Sequence, residues 1–137
     1  PNAPESLAVF EDRAAATVHQ LRADDRKVVI LEPVPVTTPD HDQVTCLSEA
    51  TYLDECRFVS RTGPTPIEEV YRDLAEQDRG VVSLDLDRLV CPYLPICDPI
   101  VNGVIARWDP VHLTTRFART LAPSVGDLLD RSGVLRP

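Results

Sequence analysis

Two residues near the end of the chain have the types and the spacing needed for acid–base chemistry. Asp109 and His112 are three residues apart, just before a helix-like run that begins near Thr115. A carboxylate at this spacing can fix the tautomer of the imidazole, and the imidazole can then accept the proton of a serine hydroxyl. The helix N-terminus carries a partial positive charge, which disfavours the protonated ring and keeps His112 a competent base near neutral pH.

The same spacing has a structural interpretation, in which Asp109 and Pro110 form a turn and His112 only flanks the helix. Spacing alone does not separate the two interpretations. The neighbouring Trp108 is the only tryptophan of the chain. We expect it either to line an acyl or sugar pocket beside the pair or to pack in the core.

The four cysteines favour two short-range disulfides. Close spacing pairs Cys46 with Cys56 and Cys91 with Cys97, and each bond would stabilise the fold by about 2–3 kcal/mol. A zinc site and free buried thiols are the alternatives, but no Cys-x-x-Cys or His-x-x-x-His pattern accompanies them. Two disulfides indicate an oxidising environment, which means that the protein is periplasmic, on the cell surface or secreted. His41, between two aspartates, fits a solvated loop better than a metal site.

Bulk composition narrows the function classes. The chain has 137 residues and 43% hydrophobic content, which suits one domain with a core. The net charge of -8 argues against binding nucleic acid or an anionic membrane surface. No apolar run approaches the roughly 20 residues needed to span a bilayer, and we predict no cofactor. The chain has no methionine, so we expect it to be processed or to be part of a longer protein.

Three helices are predicted. Apolar residues at three- and four-residue spacing indicate an amphipathic helix over about residues 6–23, capped by its first serine. A capping box at Thr65, with proline at the first helical position, starts a second helix. The third begins beside the Asp-x-x-His segment with Thr114 or Thr115 as its cap. Pro123 lies within it and should kink or split it.

Strands alternate with these helices. The β-branched runs at residues 28–31 and 81–85 are typical of parallel strands buried on both faces. A long loop is predicted over residues 33–63, and Asn102-Gly103 marks a turn before an extended piece at 104–107. This order indicates an α/β layered fold with a mostly parallel sheet. Because two parallel strands are not stable alone, we expect the opening strands to be missing and residues 1–137 to form a single incomplete domain, its C-terminal portion.

The second half of the chain resembles the end of an SGNH-type hydrolase domain. A short cysteine pair is followed by the Asn102-Gly103 turn, an aspartate and a histidine three apart, Leu113-Thr114 and a helix. The resemblance is to the extracytoplasmic SGNH domain fused behind multi-pass membrane acyltransferase-3 proteins. Upstream, residues 21–35 are similar to that family's helix, strand and proline-ended loop, and Cys46 and Cys56 match a further cysteine pair.

The resemblance implies a three-layer αβα fold, flavodoxin-like and of SGNH type. It assigns Asp109 as the triad aspartate and His112 as the general base. The family's nucleophilic serine lies in a Gly-Asp-Ser motif, and its oxyanion-hole glycine and asparagine follow further along. None of these has a counterpart here. We therefore expect the serine to lie upstream of Pro1 and this chain alone to be inactive.

The resulting hypothesis is transfer of an acetyl or other short acyl group to hydroxyls of a cell-envelope glycan. The implied partners are an acyl donor, a glycan acceptor and an upstream membrane acyltransferase domain. The implied location is extracytoplasmic, with the tether to the membrane outside this chain. A secreted esterase or lipase of the same superfamily is one alternative. A non-catalytic envelope domain that binds glycan or a partner protein is another, and a carboxylate far from the His112 ring would support it.

Overall fold

Helices and short strands alternate along most of the chain. The computed structural model describes residues 3–38 and 42–135. Their regular elements, in chain order, are α1 (Ala3–Leu21), β1 (Val28–Leu31), α2 (Gln43–Glu49), β2 (Phe58–Val59), α3 (Pro66–Gln77), β3 (Val81–Leu84), α4 (Asp87–Val90), β4 (Ile96–Cys97), β5 (Ile100–Val101), β6 (Val104–Ile105) and α5 (Thr115–Ser132). Short 3₁₀ turns occupy Ala23–Asp25 and Leu53–Cys56.

These elements fall into two compact units. The first unit comprises Pro1–Pro33, Gly63–Asp85 and Leu128–Pro137. The second comprises Val34–Thr62 and Leu86–Asp127. Among the described residues, no helix has both the length and the apolar character that a bilayer-spanning segment requires.

The first unit contains the predicted parallel strand pair. β1 pairs in parallel with β3, from Val28 opposite Val81 to Leu31 opposite Leu84. α3 starts as predicted, because the Thr65 side chain accepts a hydrogen bond from the Glu68 amide, 3.0 Å away, and the Glu68 side chain accepts one from the Thr65 amide. The α/β fold class is therefore confirmed. The three-layer arrangement and the incomplete single domain stay predictions.

Two element boundaries differ from the sequence predictions. α1 begins at Ala3 rather than at Ser6. Proline is tolerated in the first turn, where its missing N–H costs no helical hydrogen bond, and Glu5 complements the helix dipole there. α1 ends before Asp24 and Asp25, whose φ angles are +61° and +58°, a conformation that aspartate tolerates better than most residues.

The predicted long loop over residues 33–63 is also partly regular. It holds α2, a 3₁₀ turn and β2. α2 forms because the Asp42 side chain accepts a hydrogen bond from the Thr45 amide at 2.7 Å, which caps the helix. α5 runs from Thr115 through Pro123 without the predicted split.

A buried carboxylate follows β1 in the first unit. The Glu32 side chain is only 3% exposed, and Arg72 donates to both of its oxygens at 2.6–3.2 Å. Ser83 of β3 donates a further bond at 2.8 Å. Glu32 thus links α3 to the parallel strand pair.

Replacing Glu32 with alanine should lower the free energy of unfolding by about 2–3 kcal/mol, because it leaves charged and polar donors without their buried acceptor. Asp85→Ala is the matched control. Asp85 meets the same Arg72 at 3.3 Å but is 54% exposed, so its loss should cost under about 1 kcal/mol. Urea denaturation of both variants measures the difference, and equal costs would contradict the role given to Glu32.

The core of the second unit is built around a disulfide and α5. Cys91, Cys97 and Phe117 are each about 1% exposed and form one apolar cluster with residues of the β5–β6 hairpin. That hairpin turns at Asn102-Gly103, as predicted, with φ of +51° and +77°. Positive φ at both central residues is what a two-residue hairpin turn of type I′ needs. The cluster supports the segment between β6 and α5, which contains Asp109 and His112.

Candidate active site

A short antiparallel ribbon carries the predicted pair in the second unit. Arg107 pairs with Leu113 across the ribbon. The Trp108 amide donates to the His112 carbonyl at 2.9 Å. The three residues 109–111 close the ribbon as its loop. Asp109 and His112 therefore lie on a hairpin whose two arms are hydrogen-bonded to each other.

The Asp109 side chain organises this loop. Its Oδ1 accepts hydrogen bonds from the amides of Val111 at 2.8 Å and His112 at 2.7 Å. Its Oδ2 lies 2.7 Å from Nδ1 of the His112 ring. The carboxylate thus orients the imidazole and leaves Nε2 as the ring nitrogen available to a substrate. The His112 side chain is 73% exposed, so an incoming hydroxyl can reach it.

These bonds also set the charge of Asp109. The pKa of the Asp109 carboxyl is lowered from its ordinary value, first because the His112 ring hydrogen-bonds to it and then because the two backbone amides do. Asp109 is therefore a carboxylate at neutral pH. A carboxylate in this position holds the proton of His112 on Nδ1 and stabilises the imidazolium that forms when Nε2 accepts a proton.

The ribbon is held at both ends by residues 35–37. At the loop, the Thr37 amide donates to the Pro110 carbonyl at 3.0 Å. At the base, the guanidinium of Arg107 donates to the Pro35 carbonyl and lies 5.3 Å from the centre of the Phe58 ring. The chain segment after β1 therefore fixes the position of the hairpin.

Arg107 is buried, with only 1% of its surface exposed. Burial lowers the pKa of Arg107 to about 10, and the attraction of the Asp109 charge opposes that shift. Arg107 is thus still a cation at neutral pH. Sequence reasoning placed this residue only at the end of an extended piece. Its partners lie some 50–70 positions upstream, at Pro35 and Phe58, and no local pattern points to them.

Thr114 fixes the start of the helix that follows. Its Oγ1 accepts a hydrogen bond from the Phe117 amide at 3.1 Å and donates one to the Ile105 carbonyl at 2.6 Å. Of the two caps considered from the sequence, Thr114 is the one used. The second bond ties the helix start to β6, which closes the base of the hairpin between them.

The predicted cysteine pairing is confirmed. Cys46 is bonded to Cys56 and Cys91 to Cys97, with Cα atoms 5.7 and 4.8 Å apart, and all four residues belong to the second unit. Within the part of the chain that the structure describes, no three His, Cys, Asp or Glu side chains gather closely enough to hold a metal ion. His41 lies outside that part.

The structure also shows where Trp108 and the serines lie. Trp108 is 69% exposed and does not pack in the core, so the alternative of a packing role is not what the structure shows. Over residues 3–38 and 42–135, no serine hydroxyl forms a hydrogen bond with the His112 ring. Three of the serine hydroxyls bond elsewhere, namely Ser48 to Thr45, Ser83 to Glu32 and Ser132 to Leu129.

Comparison with known proteins gives one match. The family model described as SGNH domain (fused to AT3 domains) matches residues 2–127, a range that includes Asp109 and His112. No curated protein and no solved structure matches the chain significantly.

Proposed function

Because the chain belongs to the family of SGNH domains fused to AT3 domains, we propose that it is the part of an O-acyltransferase that supplies the base of the acyl-transfer site. Family membership itself indicates an acyl-transfer or hydrolase-type function and confirms the resemblance drawn from the sequence. The observation that carries the proposal is the 2.7 Å contact between Asp109 Oδ2 and His112 Nδ1 on an exposed loop. The proposed acceptor is a hydroxyl of a cell-envelope glycan, and the proposed acyl group is acetyl.

In the first half-reaction, His112 Nε2 removes the proton of a serine hydroxyl that lies outside residues 1–137. The serine oxygen attacks the carbonyl carbon of the donor, and a tetrahedral intermediate forms. The intermediate collapses when the bond to the leaving group breaks and the His112 imidazolium returns its proton to that group. The acyl group is then an ester of the serine.

The second half-reaction reverses the roles. His112 Nε2 removes the proton of the acceptor hydroxyl, whose oxygen attacks the acyl-serine carbonyl. The serine oxygen leaves and regains a proton from the imidazolium. Asp109 stays ionised throughout, because its lowered pKa keeps it from taking up the proton. The acceptor carries the acyl group away and the chain returns to its starting state.

The location and partners follow from the same assignment. Two disulfides fit an oxidising, extracytoplasmic compartment. The fusion recorded in the family description supports an acyltransferase domain upstream, which would supply the acyl group and the tether to the membrane. We propose that the upstream domain delivers the acyl group and that this chain helps to transfer it to the acceptor.

A secreted esterase remains the second candidate, and the exposure of His112 favours it. A ring that is 73% exposed admits water as well as a sugar hydroxyl. The non-catalytic alternative would gain support from a carboxylate far from the ring or from an upstream sequence without Gly-Asp-Ser, and the 2.7 Å distance removes the first of these.

The proposal is tested by locating the nucleophile. A serine-directed fluorophosphonate, applied to the full-length protein, should label one serine outside residues 1–137, and peptide mass spectrometry identifies it. Labelling should slow by at least tenfold in His112→Ala, because the hydroxyl then lacks its base. Label on a serine within residues 1–137, or label that forms equally fast without His112, would overturn the proposal.

A further inference from the structure

The register of the ribbon sets which side chains lie next to His112. Two hydrogen bonds bracket the Arg107–Leu113 pair, one from the Thr114 amide to the Ala106 carbonyl and one from the Trp108 amide to the His112 carbonyl, both 2.9 Å. This is the pattern of an antiparallel ladder in which Trp108 stands directly opposite His112. Residues in that relation have side chains on the same face, with Cβ atoms about 5 Å apart.

Burial agrees with this register. Side chains alternate between the two faces of a strand, and Arg107 is buried while the adjacent Trp108 is 69% exposed. His112 is exposed to a similar degree, and the adjacent Leu113 is half-buried. The indole and the imidazole therefore share the open face of the ribbon.

Resting on the proposed function, we infer that Trp108 sets acceptor specificity by binding the pyranose ring of a neutral sugar whose hydroxyl meets His112 Nε2. The flat indole face carries a negative quadrupole that attracts polarised C–H groups, such as those on one face of a pyranose. The sugar hydroxyls at the ring edge stay solvated or reach the base. An acyl chain, by contrast, calls for an enclosed apolar pocket, and Trp108 stands open.

The local charge selects among sugars. Asp109 is a carboxylate in the same loop, and Asp42 lies close enough that the Asp109 charge acts on it. The one cation of the ribbon, Arg107, is buried and bonded to the Pro35 carbonyl. A sugar that carries a phosphate or carboxylate would be repelled at this face, whereas a neutral pyranose would not.

The test measures how the acyl-serine divides between acceptor and water. The full-length protein is given p-nitrophenyl acetate with methyl glucoside, or with 1-butanol at equal hydroxyl concentration. In Trp108→Leu, the ratio of acetyl glucoside to acetate should fall about fivefold to tenfold. The ratio for butanol should stay within twofold, and Trp108→Phe should keep most of the glucoside transfer. Tyr93→Leu is the matched control, because Tyr93 is 73% exposed in the same unit.

Each other outcome counts against the inference. An unchanged ratio of acetyl glucoside to acetate in Trp108→Leu overturns the inference. An equal loss of acetyl glucoside and acetate also overturns it, because that is what a merely structural role would produce. A matching fall for butanol shows general apolar contact and overturns the sugar assignment. If His112→Ala keeps full transfer, the proposed function fails whatever Trp108 does.

A second measurement does not depend on turnover. In full-length protein labelled with 5-fluorotryptophan, the ¹⁹F resonance absent from Trp108→Phe belongs to Trp108. Methyl glucoside should shift that resonance, and glycerol at equal hydroxyl concentration should not. A resonance that responds to neither compound, or to both alike, contradicts the inference.

Discussion

When His112 is replaced by alanine in the full-length protein, acyl transfer is expected to fall by on the order of 10³-fold or more. The reason is that, in the proposed mechanism, both half-reactions pass their proton through Nε2 of this ring. The initial rate of acetyl transfer to a glycan acceptor measures the effect, and hydrolysis of p-nitrophenyl acetate should fall in parallel.

The loss should be chemical and not structural. The His112 side chain is exposed and, among residues 3–38 and 42–135, bonds only to Asp109, so His112→Ala should melt close to the wild type. His19→Ala is the matched control, because His19 is exposed on α1 in the other unit. External imidazole should restore part of the activity of His112→Ala, since the open loop leaves room for it. Transfer near the wild-type rate in His112→Ala would end the assignment.

Features with local causes were predictable from the sequence. The capping box at Thr65 and the Asn102-Gly103 turn depend on residues no more than a few positions apart, and both occur as predicted. The parallel pairing of two β-branched runs was predictable because this composition is typical of parallel strands. Their burial on both faces was not borne out for the described residues, since Leu31 at the end of β1 is 54% exposed. The Asp109–His112 contact also has a local cause, since three residues of loop suffice to form it, but the spacing alone left a simple turn open and only the family resemblance favoured the pair.

Features that depend on residues far apart in the chain were not predictable from the sequence. Arg107 is held by Pro35 and Phe58, and the Thr37 amide holds the loop at Pro110. Such contacts depend on how separate segments pack, which no spacing within a segment encodes. The helix inside the predicted loop was missed for another reason. Its cap is Asp42, which lies in a run rich in proline and aspartate. Such a run predicts a turn as well as it predicts a helix start.

Asp109→Asn is expected to lower the transfer rate by roughly 10⁴-fold while leaving the loop folded. The asparagine Oδ1 can still accept the two backbone bonds of residues 111 and 112. Its amide nitrogen, however, donates toward Nδ1 of His112, so that the ring proton moves to Nε2. A ring with its proton on Nε2 cannot remove a proton from a hydroxyl. The rate of acetyl transfer and the imidazole NMR resonances, which report the tautomer, check this together.

Asp109→Ala separates the two tasks of the carboxylate. Alanine removes the backbone bonds as well as the ring contact, so Asp109→Ala should melt below Asp109→Asn. Asp109→Ala should also be the more active of the two, because it leaves the His112 tautomer free to adjust. If Asp109→Asn keeps most of the activity, Asp109 does not set the tautomer.

The dependence of stability on pH provides the third comparison. Its direction follows from the lowered pKa of Asp109. The ordinary value is 3.8, and the folded-state value lies below it. The ionised group therefore stabilises the fold fully above pH 3.8, and this contribution is lost as the pH falls through the folded-state pKa. Asparagine does not titrate, and His112→Ala removes the imidazolium that Asp109 would otherwise stabilise when the ring takes up a proton. In the His112→Ala background the two backbone amides still lower the Asp109 pKa, so the stability lost on Asp109→Asn should be constant near neutral pH and shrink below pH 3.8. A loss that grows in acid would mean that the fold raises the pKa of this carboxyl, which contradicts the bonding given to Asp109.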